Sequence, residues 1–263
     1  MNAPDFFTLF LLIITGFIAG VCNAVAGGGT FFTLPIFLAA GLPPVLANAS
    51  NAVAVWPGHI LASIGYRKIL LKERKTLITA CIIGLFGALV GAYALMVIGN
   101  ARFRVLIPVL IFIATALFAS GTRIHHFFNA HQTTPSRSFS LDQPNLWGVL
   151  IQLALAIYGG FFSAGLGVML MAMLMLFGMH DMQRNNAYKN AIASVISTVA
   201  VVTFISMGLV AWSYTLPACV AGVVGGVVGT RMAQQLPALL MKRIVILTGT
   251  ALTLYYAWTI YLN

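Results

Sequence analysis

Two stripes of polar side chains on otherwise apolar sequence carry the chemistry that this chain could do. From Val45 onward, Asn48, Asn51, Ala52, Val55 and His59 recur at helical separations and share one face, with Ser50 beside it. In the second half Asn186, Lys189, Asn190 and Ser197 share a face in the same way, with Ser194 at its edge. Amides and hydroxyls can donate hydrogen bonds to the oxygens of an anion without burying fixed charge. Polar side chains in apolar helices also bond to neighbouring helices, and that alternative stands beside the binding one. Lys189 is the sharpest candidate: a cation near the start of a helix, where the dipole also favours anions. It could instead snorkel to the interface as an anchor, the role assigned to Arg184.

Both stripes follow a glycine-broken segment. Gly27, Gly28 and Gly29 precede a short apolar run that ends at Gly41-Leu42-Pro43-Pro44, and Gly165-Leu166-Gly167 precedes a Met-rich run that ends at Gly178. Each glycine costs a helix interior about 1 kcal/mol, so both places should interrupt a helix. Interrupted backbone at membrane depth must be buried in protein or line a polar cavity. These glycines are therefore either cavity walls or points of close helix contact.

The segments that position these residues occur twice. Gly27 and Gly29 match Gly165 and Gly167 at an offset of 138, and Asn51 matches Asn190 at 139. Gly84, Gly87 and Gly91 match Gly222, Gly225 and Gly229 at 138 again. Three landmarks whose offsets agree within one residue indicate a duplicated unit: residues 1–120, a polar linker at 121–145, and residues 146–263.

Composition fixes the surroundings. Of 263 residues, 60% are hydrophobic and 7% charged, and mean hydropathy is +0.99, more apolar surface than a soluble core of this size can hide. The chain reads as an all-α integral membrane protein. Its net charge of +10 comes from short loops between apolar runs, which fits positive-inside topology and not a nucleic-acid surface. Cys22, Cys81 and Cys219 each lie alone in apolar sequence and suggest neither a disulfide framework nor a metal centre. The first apolar run has Asp5 and no basic residue ahead of it, so it is expected to stay as the first membrane helix.

The basic loop 67–75 should face the cytoplasm, together with 120–145 and 231–243, leaving 99–104 and 208–215 outside. Each copy then crosses an odd number of times, and the second copy must be inverted. The expectation is about eight long transmembrane helices and two short broken or re-entrant ones, in an inverted-repeat transporter architecture. His125, His126 and His131 fall in the linker at weak metal-ligand spacing and read as solvated. Asp5, Glu73, Asp142 and Asp181 all lie in loops or at span ends, so no carboxylate relay is available and His59 is the one intramembrane proton acceptor. No catalytic triad, metal motif or phosphate loop is present, which argues against an enzyme and against a cofactor.

Gly27-Gly28-Gly29, then Pro35, Gly41-Leu42-Pro43, Ala47 and Ser50-Asn51, resemble the signature of the TauE/SafE family of sulfite and organosulfur anion exporters. The resemblance extends to the two-copy arrangement and the polar middle loop. Lys189 stands where the first copy has Ser50, and no proline follows Gly167 as Pro35 follows Gly29. The resemblance implies export of sulfite, or a sulfonate such as sulfoacetate, across a bacterial inner membrane. The partners are then a small anion and the lipid bilayer, without nucleic acid, and self-association stays open. Import of a related organic or inorganic anion and a non-transporting membrane scaffold are the alternatives.

Overall fold

The structure is a computed structural model that describes residues 3–25, 28–72, 74–130, 146–232 and 238–262. Gly27 and His131 lie outside these, as do the side chains of His125 and His126. The described residues form helices and the turns between them: α1 (Phe6–Val25), α2 (Thr30–Ala39), α3 (Pro44–Gly65), α4 (Arg67–Leu70), α5 (Arg74–Ala130), α6 (Leu146–Phe161), α7 (Leu166–Leu176), α8 (Met182–Ser206), α9 (Trp212–Met232) and α10 (Ala238–Ala257), which ends in a π-helical turn.

Among the described residues five helices, α1, α5, α8, α9 and α10, are long and apolar enough to cross a membrane. The sequence suggests eight; the difference lies in three places. The apolar stretch Thr76–Ser120, 45 residues, is two helices that run together at Gly99, with residues enough to cross the hydrocarbon twice. Gly99 breaks it, with φ 72° and ψ 167°. The outer loop expected at 99–104 thus shrinks to one residue, and Asn100 is already helical. α3 is long enough, at 22 residues, but carries amides. α6 has only 16 residues. α5 continues to Ala130, into the stretch expected as the polar linker.

Local chemistry sets the helix ends. Asp181 caps α8, its carboxylate accepting from the backbone N–H of Gln183 at 2.8 Å and of Arg184 at 3.0 Å. Asp181→Ala should lower stability by about 1 kcal/mol, read as a Tm fall of about 2–4 °C. Pro44 starts α3 at the first helical position. Asn100 Oδ1, at the break in α5, then accepts from Val45 N at 3.0 Å. α2 and α7, at 10 and 11 residues, reach only about half the hydrocarbon depth. Both stop at a glycine with φ 82°, Gly41 and Gly178, and the next N–H turns back to the carbonyl five residues earlier.

Two helix pairs hold the assembly together through glycine. α1 lies against α9, where a Cβ on Gly225 would meet Phe17 O at 2.1 Å and one on Gly229 would meet Val21 Cα at 2.8 Å. α6 lies against the first leg of α5, where Gly87 faces Leu153 O and Ala156, and Gly91 faces Ile157 O and Phe161 N. Without side chains between them the backbones touch, as membrane helices require when lipid supplies no hydrophobic drive. Phe31, Leu34 and Phe37 of α2 fill one core, and Leu170, Met173 and Tyr188 of α7 and α8 fill another.

Candidate functional site

α3 and α8 cross antiparallel, and three contacts set their register. Trp56 Nε1 donates to Thr198 Oγ1 at 2.9 Å. Ser194 Oγ lies 2.7 Å from the carbonyl of His59 and 2.7 Å from that of Asn190, one turn back on its own helix. Toward the start of α3, Asn48 shares a crevice with Ser197, Ala200 and Phe204. Numbers rise along one helix as they fall along the other. Asn190 is therefore level with the last turn of α3, about 18 Å along the axis from Asn51. The two stripes meet, but their asparagines stand at opposite ends of the crossing.

One polar cluster forms near the N-terminal end of α8. Lys189 Nζ donates to Asn186 Oδ1 at 3.0 Å. Its stem passes Gly167, where an added Cβ would stand 3.8 Å from Lys189 Cδ. The ammonium is within Coulombic range of His59. Lys189, Asn190, Ser194 and His59 are all half-buried. On this end of α8 the Lys189 ammonium thus lies against the Asn186 amide, and Ser194 ties the helix to the backbone of α3 at His59.

A second cluster gathers where α1, α2 and α3 meet. Asn51 is fully buried and accepts a short hydrogen bond from Thr33 Oγ1. Its Nδ2 has no hydrogen-bond partner among the described residues. Asn23 Oδ1 accepts from Gly29 N at 2.7 Å, satisfying an N–H at the head of α2. Nearby, Asn48 Nδ2 donates to Phe161 O at 2.9 Å, joining α3 to the end of α6. Ser197 and Ser163 line the same crevice.

Three candidates serve packing. Ser50 is fully buried and its Oγ accepts from Ala211 N at 2.9 Å, bracing the start of α9. Gly28, at φ 89°, leaves a prospective Cβ only 3.0 Å from Val245 and 3.4 Å from Phe118. Gly165, at φ 75°, opens α7 against Ala114.

The polar stripes do not single out Asn23, Thr33, Trp56, Ser163, Asn185 or Thr198. Asn185 is fully buried and its Nδ2 donates to the carbonyls of Met171 and Met179, so at the start of α8 it ties down the turn while Asn186 meets the lysine. Asn23, six residues before Gly29, is the one with a readable signal: a lone amide just ahead of a glycine run.

A family model described as Sulfite exporter TauE/SafE matches residues 12–256, a span that contains both clusters. The chain belongs to that family. TauE/SafE membership agrees with three relatives. A probable membrane transporter protein of Haemophilus influenzae is 24% identical over 246 residues, covering 93% of this chain and 92% of the relative. The probable membrane transporter protein ORF9 of Sinorhizobium sp. is 24% identical over 254 residues, covering 97% and 94%. The probable membrane transporter protein YfcA of Escherichia coli K12 is 22% identical over 249 residues, covering 93% and 88%. No solved structure matches the chain. As a TauE/SafE protein with several apolar helices, the chain is a multi-pass inner-membrane protein of a transporter family, not of an enzyme class.

Proposed function

We propose that the protein exports a small sulfur-containing anion, sulfite or a sulfonate such as sulfoacetate, across the bacterial inner membrane. The observation that carries the reading is Lys189, half-buried with its Nζ on Asn186 Oδ1 at 3.0 Å, on the helix that Ser194 joins to the His59 carbonyl of α3. A lysine in that position neutralises an oxyanion, and the Asn186 amide beside it adds N–H donors. Export can run as potential-driven uniport, because an inside-negative potential favours anion exit by about 2.3 kcal/mol per charge per 100 mV.

The inverted repeat belongs to the same proposal. The α1–α9 contacts pair Phe17 with Gly225 and Val21 with Gly229; shifted by 138, they become 155 with Gly87 and 159 with Gly91, the levels at which α6 meets α5. Such correspondence supports two copies, one at 1–120 and one at 146–263, joined by the linker. Opposite insertion follows from the basic loops.

The test is flux of sulfite, taurine, sulfoacetate and sulfate through the purified protein in liposomes, with a set membrane potential and no proton or sodium gradient. Saturable, potential-driven sulfite movement is expected. If no sulfur anion moves, the substrate class is wrong; movement only with an ion gradient removes the uniport reading. In the same assay Asn190→Ala should lower flux about tenfold or more, the worth of one hydrogen bond to a charged group, with membrane insertion unchanged. Normal flux in the folded variant would take this residue out of the site.

A further inference from the structure

The crevice between α3, α8 and the end of α6 has a chemistry opposite to that of the lysine cluster. Asn48 is 2% exposed, and its Nδ2 is committed to the carbonyl of Phe161 at 2.9 Å. A carbonyl only accepts, so the amide cannot be turned over without setting two acceptors against each other. Asn48 Oδ1 is thereby fixed as an acceptor, buried and, among the described residues, without a hydrogen-bond partner. That oxygen calls for a donor or a cation, and it repels an oxyanion.

The other walls can supply further acceptor oxygens. Ser163 and Ser197 bring hydroxyls, and α6 ends here at Phe161, its C-terminal carbonyls carrying the negative end of the helix dipole. Ser163 itself stands at φ 60°, a left-handed conformation that a non-glycine residue adopts at a cost, and it turns the chain along this wall. The space is about 10 Å³, room for one body the size of a water. An oxyanion of sulfur is too large for it. No acidic side chain lines the crevice, and neutral oxygens suit a monovalent ion better than a divalent one. The lysine cluster begins at His59, eleven residues further along α3 and about 16 Å away.

We propose that this crevice binds one sodium ion, with Asn48 Oδ1 as its fixed ligand and the Ser163 and Ser197 hydroxyls beside it. A broken-helix end with its carbonyls turned to a small cation is a general solution for ions at membrane depth. The site stands apart from the anion reading, since an ion that stays bound leaves potential-driven uniport intact.

The test is thermal unfolding of the purified full-length protein in detergent, without any sulfur anion, in sodium, potassium or choline chloride at equal ionic strength. A saturable Tm rise of about 3 °C is expected in sodium at ten times the dissociation constant, with less in potassium and none in choline. Ser197→Ala should raise the half-maximal sodium concentration about tenfold, the loss of one ligand oxygen, and Asn48→Ala should abolish the response. Should Asn48→Ala not yield folded protein, the wild type and Ser197→Ala decide the matter. Equal Tm in sodium and choline would mean that a water fills the crevice and would overturn the proposal. A potassium response as large as sodium's, or an unchanged sodium midpoint in Ser197→Ala, would overturn it too. Because no sulfur anion is present, these outcomes are independent of whether sulfite is the substrate.

Discussion

Lys189→Gln is expected to weaken sulfite affinity about 100-fold, the upper range for losing a charge-assisted hydrogen bond. The change shortens the side chain by one atom but keeps the Cδ that lies beside Gly167, so folding and insertion should be preserved. The loss should appear as a raised half-saturation concentration, while Lys189→Arg, which keeps the charge, should recover much of it. Unchanged affinity in the glutamine variant would assign the lysine to the membrane interface and would leave the cluster around His59 without a reason to bind an anion.

Gly20→Val or Gly91→Val should prevent the protein from accumulating in folded form. A Cβ on Gly20 would lie 2.0 Å from Gly222 O, and one on Gly91 would lie 2.0 Å from Ile157 O. Both obstacles are backbone, so relief requires parting two helices along their length. The cost should exceed about 4 kcal/mol, beyond what most single substitutions reach. The measurement is the monodisperse fraction after detergent extraction. Gly58→Ala is the control: nothing lies within 4 Å of its added Cβ, and alanine favours the helix by about 1 kcal/mol. Monodisperse Gly20→Val and Gly91→Val proteins would show that the contacts are looser than the structure describes.

The amino-acid pattern alone makes these helix contacts legible in part. Gly87, Gly91, Gly225 and Gly229 recur at helical spacing and at one offset, and all four meet another backbone closely. Gly84, on the same stripe, instead meets Ile196 of α8, because stepping three residues back along a helix also rotates the face. The polar faces of α3 and α8 are legible for the same reason: periodicity reports which residues point together. It does not report the level at which two helices cross. That level is set by Trp56 with Thr198 and by His59 with Ser194, pairs more than 130 residues apart in sequence. Hence Asn51 and Asn190, equivalent by repeat, lie at separate ends. Nor can sequence orient the Asn48 amide, which depends on the Phe161 carbonyl 113 residues away. The sharpness of the Gly99 break is hidden because Arg102 and Arg104 look like loop residues, whereas at the membrane surface a helix tolerates them as well.

Because one helix, α3, carries Asn48 near its start and His59 near its end, the two proposed sites stand about 16 Å apart along it. Unit charges of opposite sign about 16 Å apart attract by about 1 kcal/mol at an effective dielectric of 20. Thermodynamic linkage then requires each ion to raise the affinity of the other about fivefold, in both directions alike. A titration of sulfite with and without sodium would read that reciprocity directly, as a shift in one binding curve matched by an equal shift in the other.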